Sequence, residues 1–167
     1  MDHYSESPRK LSRLRLKIGD LEEKWQEMNE EWDDWGNIQS VEDDLFPLII
    51  STHAAIEDIT THLILAYVVK DEVAEGAFEY IYSGMSQSHR EELLVKCNIL
   101  SNETRGKISR FKGLRNKVAH GTFQQLDWYR DEIPEKMDIA FEVLDSFEKA
   151  FTDRDLIDAI EEGEETL

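Results

Sequence analysis

The most apolar stretch of the chain, LFPLIISTHAAIEDITTHLILAYVV, covers residues 45–69 and decides how the rest of the sequence folds around it. Its length is that of a membrane span, but His53, Glu57, Asp58 and His62 interrupt its middle. Each charged group at that depth would cost about 3 kcal/mol in a bilayer. Because its apolar side chains point in most directions around a helix, we predict that this segment is the buried central helix of a bundle.

The segments around this helix carry apolar residues at three- and four-residue steps, the spacing of one helix face. Such residues in the first and last segments are Leu11, Leu14, Ile18, Leu21, Trp25, then Met137, Ala140, Phe141, Leu144, Phe147 and Phe151. Helices are predicted over residues 8–35, 41–70, 73–82, 88–100, 104–120 and from Pro134 onward, with Pro47 as either a kink or a first turn. We therefore predict an all-α, up-and-down helical bundle of about five to seven helices.

The length of 167 residues predicts a single domain. Within it we expect an N-terminal amphipathic helix over residues 1–37, the bundle over 38–152, and a short helix with an acidic tail over 153–167. The first residues lack the layout of a secretory signal, and Cys97 has no partner cysteine in the chain. A cytoplasmic, membrane-free protein with a buried Cys97 is expected.

The excess of acidic residues limits which kinds of molecule the protein binds. The chain has 37 acidic and 19 basic residues, a formal charge of −18. Such acidity indicates either a halophilic host or an ordinary acidic, solvated surface. It argues against broad, non-specific binding of nucleic acid, because phosphate contacts require lysine and arginine. Any nucleic-acid site must therefore be confined to a small, positively charged part of the surface.

One segment breaks this acidic pattern. No acidic residue lies between Glu103 and Asp127, and six of the 19 basic residues fall within it. They are Arg105, Lys107, Arg110, Lys112, Arg115 and Lys117. On a helix turning by about 100° per residue, one stripe carries the set that we call the cationic strip. Its members are Arg105, Ser109, Lys112, Asn116 and His120.

The opposite side of the same helix carries Phe111, Leu114 and Val118, which we expect to face the core, with Lys107 reaching solvent. Arg115 falls at the edge between the two sides, which suits a half-buried guanidinium paired with an acid. Glu57 lies inside the apolar helix and requires a partner there. The sequence offers it either Arg115 or His53.

The run FKGLRNKVAHG, residues 111–121, resembles the signature of the HEPN superfamily: an arginine, a polar residue and a histidine near a helix end. The resemblance covers roughly residues 41–151. It implies a helical bundle that forms homodimers with a composite cleft, and a metal-independent endoribonuclease without a cofactor. It implies catalytic roles for Arg115 and His120, with Asn116 as the supporting polar residue and Glu57 as an acid on the preceding core helix.

The chemistry expected of this motif is cleavage by the RNA's own 2′-hydroxyl. His120 would serve as general base or acid, and Arg115 as a clamp on the phosphate. Flanking RNA phosphates would bind Arg105, Ser109, Lys112 and Lys117. Such an enzyme suits the toxin of a toxin–antitoxin or defence system, with an antitoxin as a regulatory partner. One toxin branch carries a modifiable tyrosine two positions after the histidine, where this chain has Thr122.

Two alternatives share the same residues. In the first, His120 interacts only with the last carbonyls and the dipole of its helix, as basic residues at that position often do. A non-catalytic module that binds RNA, a nucleotide or a protein would also retain the whole motif. Elsewhere, His53, Glu57 and His62 favour hydrogen-bonded structure over a metal site. A cluster of Trp25, Trp32 and Trp35 lies among acidic residues, which favours packing against the bundle or a dimer mate over base stacking.

Overall fold

The computed structural model describes residues 7–32, 38–70, 73–119 and 138–153, and within these ranges the protein contains helices and no strand. The elements are α1 (Ser7–Trp32), α2 (Ile38–Tyr67), α3 (Ala74–Glu79), a π-helical turn (Tyr80–Gly84), α4 (Gln87–Lys96) and α5 (Asn102–Ala119). A further helical segment, α6, covers residues 138–153. The prediction of an all-α fold is confirmed.

Most helix boundaries differ from the sequence prediction by a few residues, and two of these differences have a structural consequence. Helix α2 begins at Ile38, so Pro47 lies inside it rather than in its first turn. Helix α4 ends at Lys96 because Asn98 takes a left-handed backbone conformation, with φ of 56°. The amides of Asn98 and Ile99 then donate to the carbonyls of Val95 and Leu94, at 3.0 and 2.9 Å. This pattern terminates a helix by satisfying its last carbonyls.

Helix α1 is part of the same core as α2 and α5. Trp25 is fully buried, and its indole Nε1 donates to Thr52 Oγ1 of α2 at 2.9 Å. The Trp25 ring also meets Phe111 of α5 edge to face, with centroids 6.1 Å apart. Trp25 therefore packs against the bundle, which is one of the two packing partners that the sequence favoured. Trp35 and the side chain of Trp32 lie outside the described residues.

Helix α6 covers another side of the core with Val143, Leu144 and Phe147, all fully buried. Lys107 of α5 contributes to this contact, since its Nζ lies 2.9 Å from Glu103 Oε1 and 3.4 Å from Glu142 Oε2. The expectation that Lys107 reaches freely into solvent is wrong. Its ammonium bridges α5 to α6 because two carboxylates converge on it.

The central helix α2 holds its place by packing rather than by lipid contact. Ile56, Ile59 and Leu63 are fully buried against other helices. Within the four described ranges, no helix combines the length and the apolar composition needed to cross a membrane.

Candidate nucleic-acid interface

Helix α5 has the two sides that its sequence predicts. Ile108, Phe111 and Leu114 are buried in the core. On the cationic strip, Arg105, Lys112 and Asn116 are half-buried and Ser109 is exposed, whereas His120 lies outside the described residues. From Arg105 to Asn116 the helix rises about 16 Å. The described part of the strip is therefore long enough to follow several phosphates of an extended chain.

Arg115 and Asn116 are joined directly. The guanidinium Nη1 of Arg115 donates to Asn116 Oδ1 at 3.1 Å, and both residues are half-buried. This bond fixes the planar fork of Arg115 from one side, and within the described ranges its other N–H groups have no hydrogen-bond acceptor. A phosphate has the oxygen geometry that such a fork matches.

Glu57 does not meet the expectation of a buried acid paired with Arg115. Its side chain is 44% exposed, and its Oε2 lies 3.9 Å from His53 Nδ1. Among the described residues, no ion pair joins Glu57 to Arg115. The alternative partner, His53, lies one turn earlier on α2, but this contact is too long for a hydrogen bond and is an ion pair only when the imidazole is protonated. Because Glu57 lies near the rim of the bundle, water solvates it and no buried counter-charge is required.

His53 is the buried member of this group, with 5% of its surface exposed. Burial lowers the pKa of its imidazole, Glu57 raises it, and the positive charges of Arg115 and Lys112 lower it further. The net shift is downward, so the imidazole is neutral at neutral pH. The same influences indicate that His53 of α2 faces the strip side of α5.

A second polar group lies on α4, and the sequence prediction missed it. Gln87, Arg90 and Glu91 are all buried, on the same helix face as Leu94. Their spacing with Leu94 is that of a core-facing stripe, and this spacing is the signal by which they are recognisable. Polar side chains at core-facing positions require internal partners.

Arg90 has those partners. Its Nη1 donates to the carbonyl oxygens of Ile81 and Tyr82 at 2.9 and 3.0 Å, and its Nε and Nη2 donate to Gln87 Oε1 at 3.1 and 2.9 Å. The Thr60 hydroxyl of α2 reaches the same Gln87 oxygen at 3.1 Å. Arg90 thus ties the π-helical turn and α4 to the central helix.

Glu91 is the acid that approaches the cationic strip from α4. It is 4% exposed. Burial raises the pKa of its carboxyl, and the nearby Gln87 amide, Lys112, Arg105 and Arg90 oppose that rise without cancelling it. Arg105 also lies 3.9 Å from the neighbouring Glu92 Oε2. Helix α4 therefore carries a buried acid, Glu91, next to a half-exposed acid, Glu92, that lies beside Arg105 of the strip.

Arg115 contacts Asn116 within α5, and the charges of the strip side of α5 act on His53 of α2 and on Glu91 of α4. Among the described residues, no hydrogen bond or ion pair joins Glu57 or Glu91 to α5. Lys117 is exposed on another side of α5. Within the described ranges, no three or more His, Cys, Asp or Glu side chains gather as they would around a metal ion. What the described groups offer is hydrogen-bond donors and positive charge, which suit an anionic ligand.

No family model, curated protein or solved structure that was compared with this chain matches it. The resemblance to the HEPN superfamily therefore stays a prediction from the sequence run at residues 111–121, of which positions 120 and 121 lie outside the described residues.

Proposed function

We propose that this protein is a metal-independent endoribonuclease of the HEPN type, whose cationic strip binds RNA. One observation carries the proposal: in a chain of net charge −18, α5 holds Arg105, Lys112 and Asn116 on its outer side, with Arg115 bonded to Asn116. Such a strip within an acidic protein attracts phosphate locally while the rest of the surface repels it.

The reaction is an internal transfer at phosphorus. His120 takes the proton of a ribose 2′-hydroxyl, the 2′-oxygen forms a bond to phosphorus, and the bond from phosphorus to the 5′-oxygen breaks. The leaving 5′-oxygen receives a proton from water, which gives a 2′,3′-cyclic phosphate and a 5′-hydroxyl, and the protonated His120 returns its own proton to solvent. Arg115 donates to the phosphate oxygens as negative charge builds on them, and Asn116 keeps its guanidinium in place.

Two copies of the chain are proposed to form the working unit, with their Arg115-to-His120 segments along one cleft. Regulation by an antitoxin in a toxin or defence system, acting in the cytoplasm, belongs to the same proposal. Sedimentation of the purified protein at physiological salt tests the pairing: a dimer supports it and a monomer at all concentrations rejects it.

The test of the activity uses an end-labelled RNA incubated with pure protein in an excess of chelator. His120→Ala should reduce the cleavage rate by about 10²- to 10⁴-fold, which is the usual contribution of a general acid or base. Arg115→Lys should also reduce it, because lysine lacks the planar fork. Arg110→Gln is the matched control, since Arg110 is an exposed cation of α5 that lies outside the strip.

Three outcomes separate the alternatives. Cleavage that His120→Ala abolishes and Arg110→Gln preserves supports the enzyme. Binding without cleavage rejects the enzyme in favour of a non-catalytic module. Cleavage that survives both His120→Ala and Arg115→Lys rejects the motif as the catalytic site.

A further inference from the structure

The first half of the central helix α2 has an outward side without charge. Between Asp44 and Glu57 the sequence contains no Asp, Glu, Lys or Arg, although these four residue types make up 34% of the chain. Some residues of this run are nevertheless exposed at helical spacing, and we call them the α2 stripe: Pro47, Ile50, Ser51 and Ala54. Ile50 is 41% exposed. A helix side that faces only water is normally rich in charged residues, so the α2 stripe departs from an ordinary solvent-facing side.

Neighbouring helix surfaces show the usual pattern. The second uncharged run of α2, residues 59–69, has no exposed residue, because the bundle covers it. The outer side of α1 is exposed and mostly charged, with Leu16 as an apolar exception. Its exposed charged residues include Arg13, Asp20, Glu23, Glu27 and Glu30. The α2 stripe is therefore an uncharged helix side that the bundle leaves open.

A groove adjoins the α2 stripe. It lies between α1 and α2 and has a volume of about 390 Å³. The groove is lined by the buried side chains of Leu21, Met28 and Leu48, and by Pro47 and Ser51 of the stripe. An apolar groove between two helices is the kind of surface that takes up the apolar side of a third, amphipathic helix.

Acidic residues bound this surface at both ends. Glu27 and Asp44 are exposed at one end, where Lys24 also lines the groove, and Glu57 is 44% exposed at the other. From Asp44 to Glu57 the helix rises about 20 Å. A second copy of the chain would bring acids together, because a two-fold pair of α2 helices places Asp44 beside either Glu57 or its own equivalent. A partner with basic residues about 20 Å apart has the complementary charge.

We infer that the α2 stripe and the adjoining groove bind an amphipathic helix of a partner protein. Its apolar side contacts Ile50 and the groove, and its basic residues meet Asp44 at one end and Glu57 at the other. The inference does not depend on the proposed nuclease activity, because no residue of the α2 stripe belongs to the cationic strip or to the motif at residues 111–121.

The probe is a synthetic, fluorescein-labelled helical peptide of about 18 residues, with leucines at three- and four-residue steps and lysines about 20 Å apart at its two ends. A second peptide has the same leucines but carries glutamates in place of the lysines. In fluorescence anisotropy at physiological salt, the wild-type protein should bind the glutamate peptide about tenfold more weakly, because like charges meet at both ends. Equal affinity for the two peptides, or no binding of the lysine peptide at millimolar concentration, overturns the inference.

Variants locate the contact, because a protein of net charge −18 attracts basic peptides in general. Ile50→Glu should weaken binding of the lysine peptide about tenfold, since it places an unpaired carboxylate under the apolar side of the peptide. Leu16→Glu is the matched control, because it makes the same change at a residue of α1 that is 68% exposed and does not line the groove. The control should bind like the wild type. Equal effects of the two changes overturn the inference.

Two further measurements test the charges and the choice of occupant. The double variant Asp44→Lys, Glu57→Lys should prefer the glutamate peptide, and a retained preference for the lysine peptide overturns the inference. Sedimentation of the wild type and of Ile50→Glu tests the second copy as occupant: a dimer that Ile50→Glu dissolves and Leu16→Glu preserves would show that copies of the chain cover this face, which also overturns the inference. Circular dichroism checks the fold of each variant, and Ala54→Glu, at another exposed position of the stripe, replaces an Ile50→Glu protein that fails to fold.

Discussion

Replacing Trp25 by phenylalanine removes a hydrogen bond that crosses from α1 to α2 through the core, from the indole Nε1 to Thr52 Oγ1 at 2.9 Å. Both residues are fully buried, so the Thr52 hydroxyl loses a donor that water is not able to replace. The phenyl ring retains the aromatic contact with Phe111 but leaves part of the indole volume empty.

The expected loss has two parts. Losing a buried hydrogen bond costs about 1 kcal/mol, and leaving its acceptor unsatisfied adds to that cost. Truncation of a buried tryptophan to alanine costs about 3–5 kcal/mol, and phenylalanine retains roughly half of the side chain's contacts. We therefore expect Trp25→Phe to lower the free energy of unfolding by about 2–3 kcal/mol, which lowers the melting temperature by roughly 4–12 °C in a domain of this size.

Urea unfolding followed by circular dichroism at 222 nm measures this loss, and a double-mutant cycle isolates the hydrogen bond. Thr52→Val removes the acceptor while preserving the shape of the side chain. The two changes together should cost less than the sum of the single changes by about 1 kcal/mol. A loss below roughly 0.5 kcal/mol for Trp25→Phe, or strict additivity in the cycle, would refute the placement of α1 in the core.

Three further changes test other parts of the structure. Arg90→Lys should cost about 2–4 kcal/mol in urea unfolding, because an ammonium is not able to reproduce the fork that holds the Ile81 and Tyr82 carbonyls; a loss under 1 kcal/mol would contradict this. The lowered pKa of His53 means that the unfolded chain binds its proton more readily, so stability falls as pH drops below about 6.5, by at most ~1.4 kcal/mol per pH unit. His53→Gln should flatten that decline, and an unchanged slope between about pH 6.5 and 5 would exclude His53 as its source. Glu57→Gln should change the free energy of unfolding by less than about 0.5 kcal/mol, because Glu57 is half-exposed. A loss above about 2 kcal/mol would instead indicate the buried ion pair of Glu57 with Arg115 that the sequence suggested.

Helical periodicity predicted the described parts of α5 from the sequence alone. The positions of Phe111 and Leu114 followed from the 3.6-residue repeat, and both are buried. The same repeat placed Arg105, Lys112 and Asn116 together on the outer side, where they are half-buried. An amphipathic helix carries this information in its own sequence, so no knowledge of its neighbours was needed.

The polar groups on neighbouring helices were harder to predict because their surroundings depend on tertiary packing. Glu57 lies among apolar residues in the sequence, yet its side chain is 44% exposed at the rim. Glu91 lies at a core-facing position of its helix, yet its charge favours solvent, so the sequence prediction missed its burial. For Glu57, the exposure depends on where a neighbouring helix stops covering α2, and the periodicity of α2 alone does not contain that information.

The most direct test of the central claim is the chemistry of the cut ends. An RNA carrying a single 2′-deoxy residue at a mapped cleavage position should resist cutting at that linkage alone. Mass spectrometry of the products at the other positions should find 2′,3′-cyclic phosphate and 5′-hydroxyl ends, which Arg115→Lys should greatly reduce. Cleavage at the deoxy linkage, or fragments with 3′-hydroxyl and 5′-phosphate ends, would contradict attack by the 2′-hydroxyl and with it the roles assigned to Arg115 and His120.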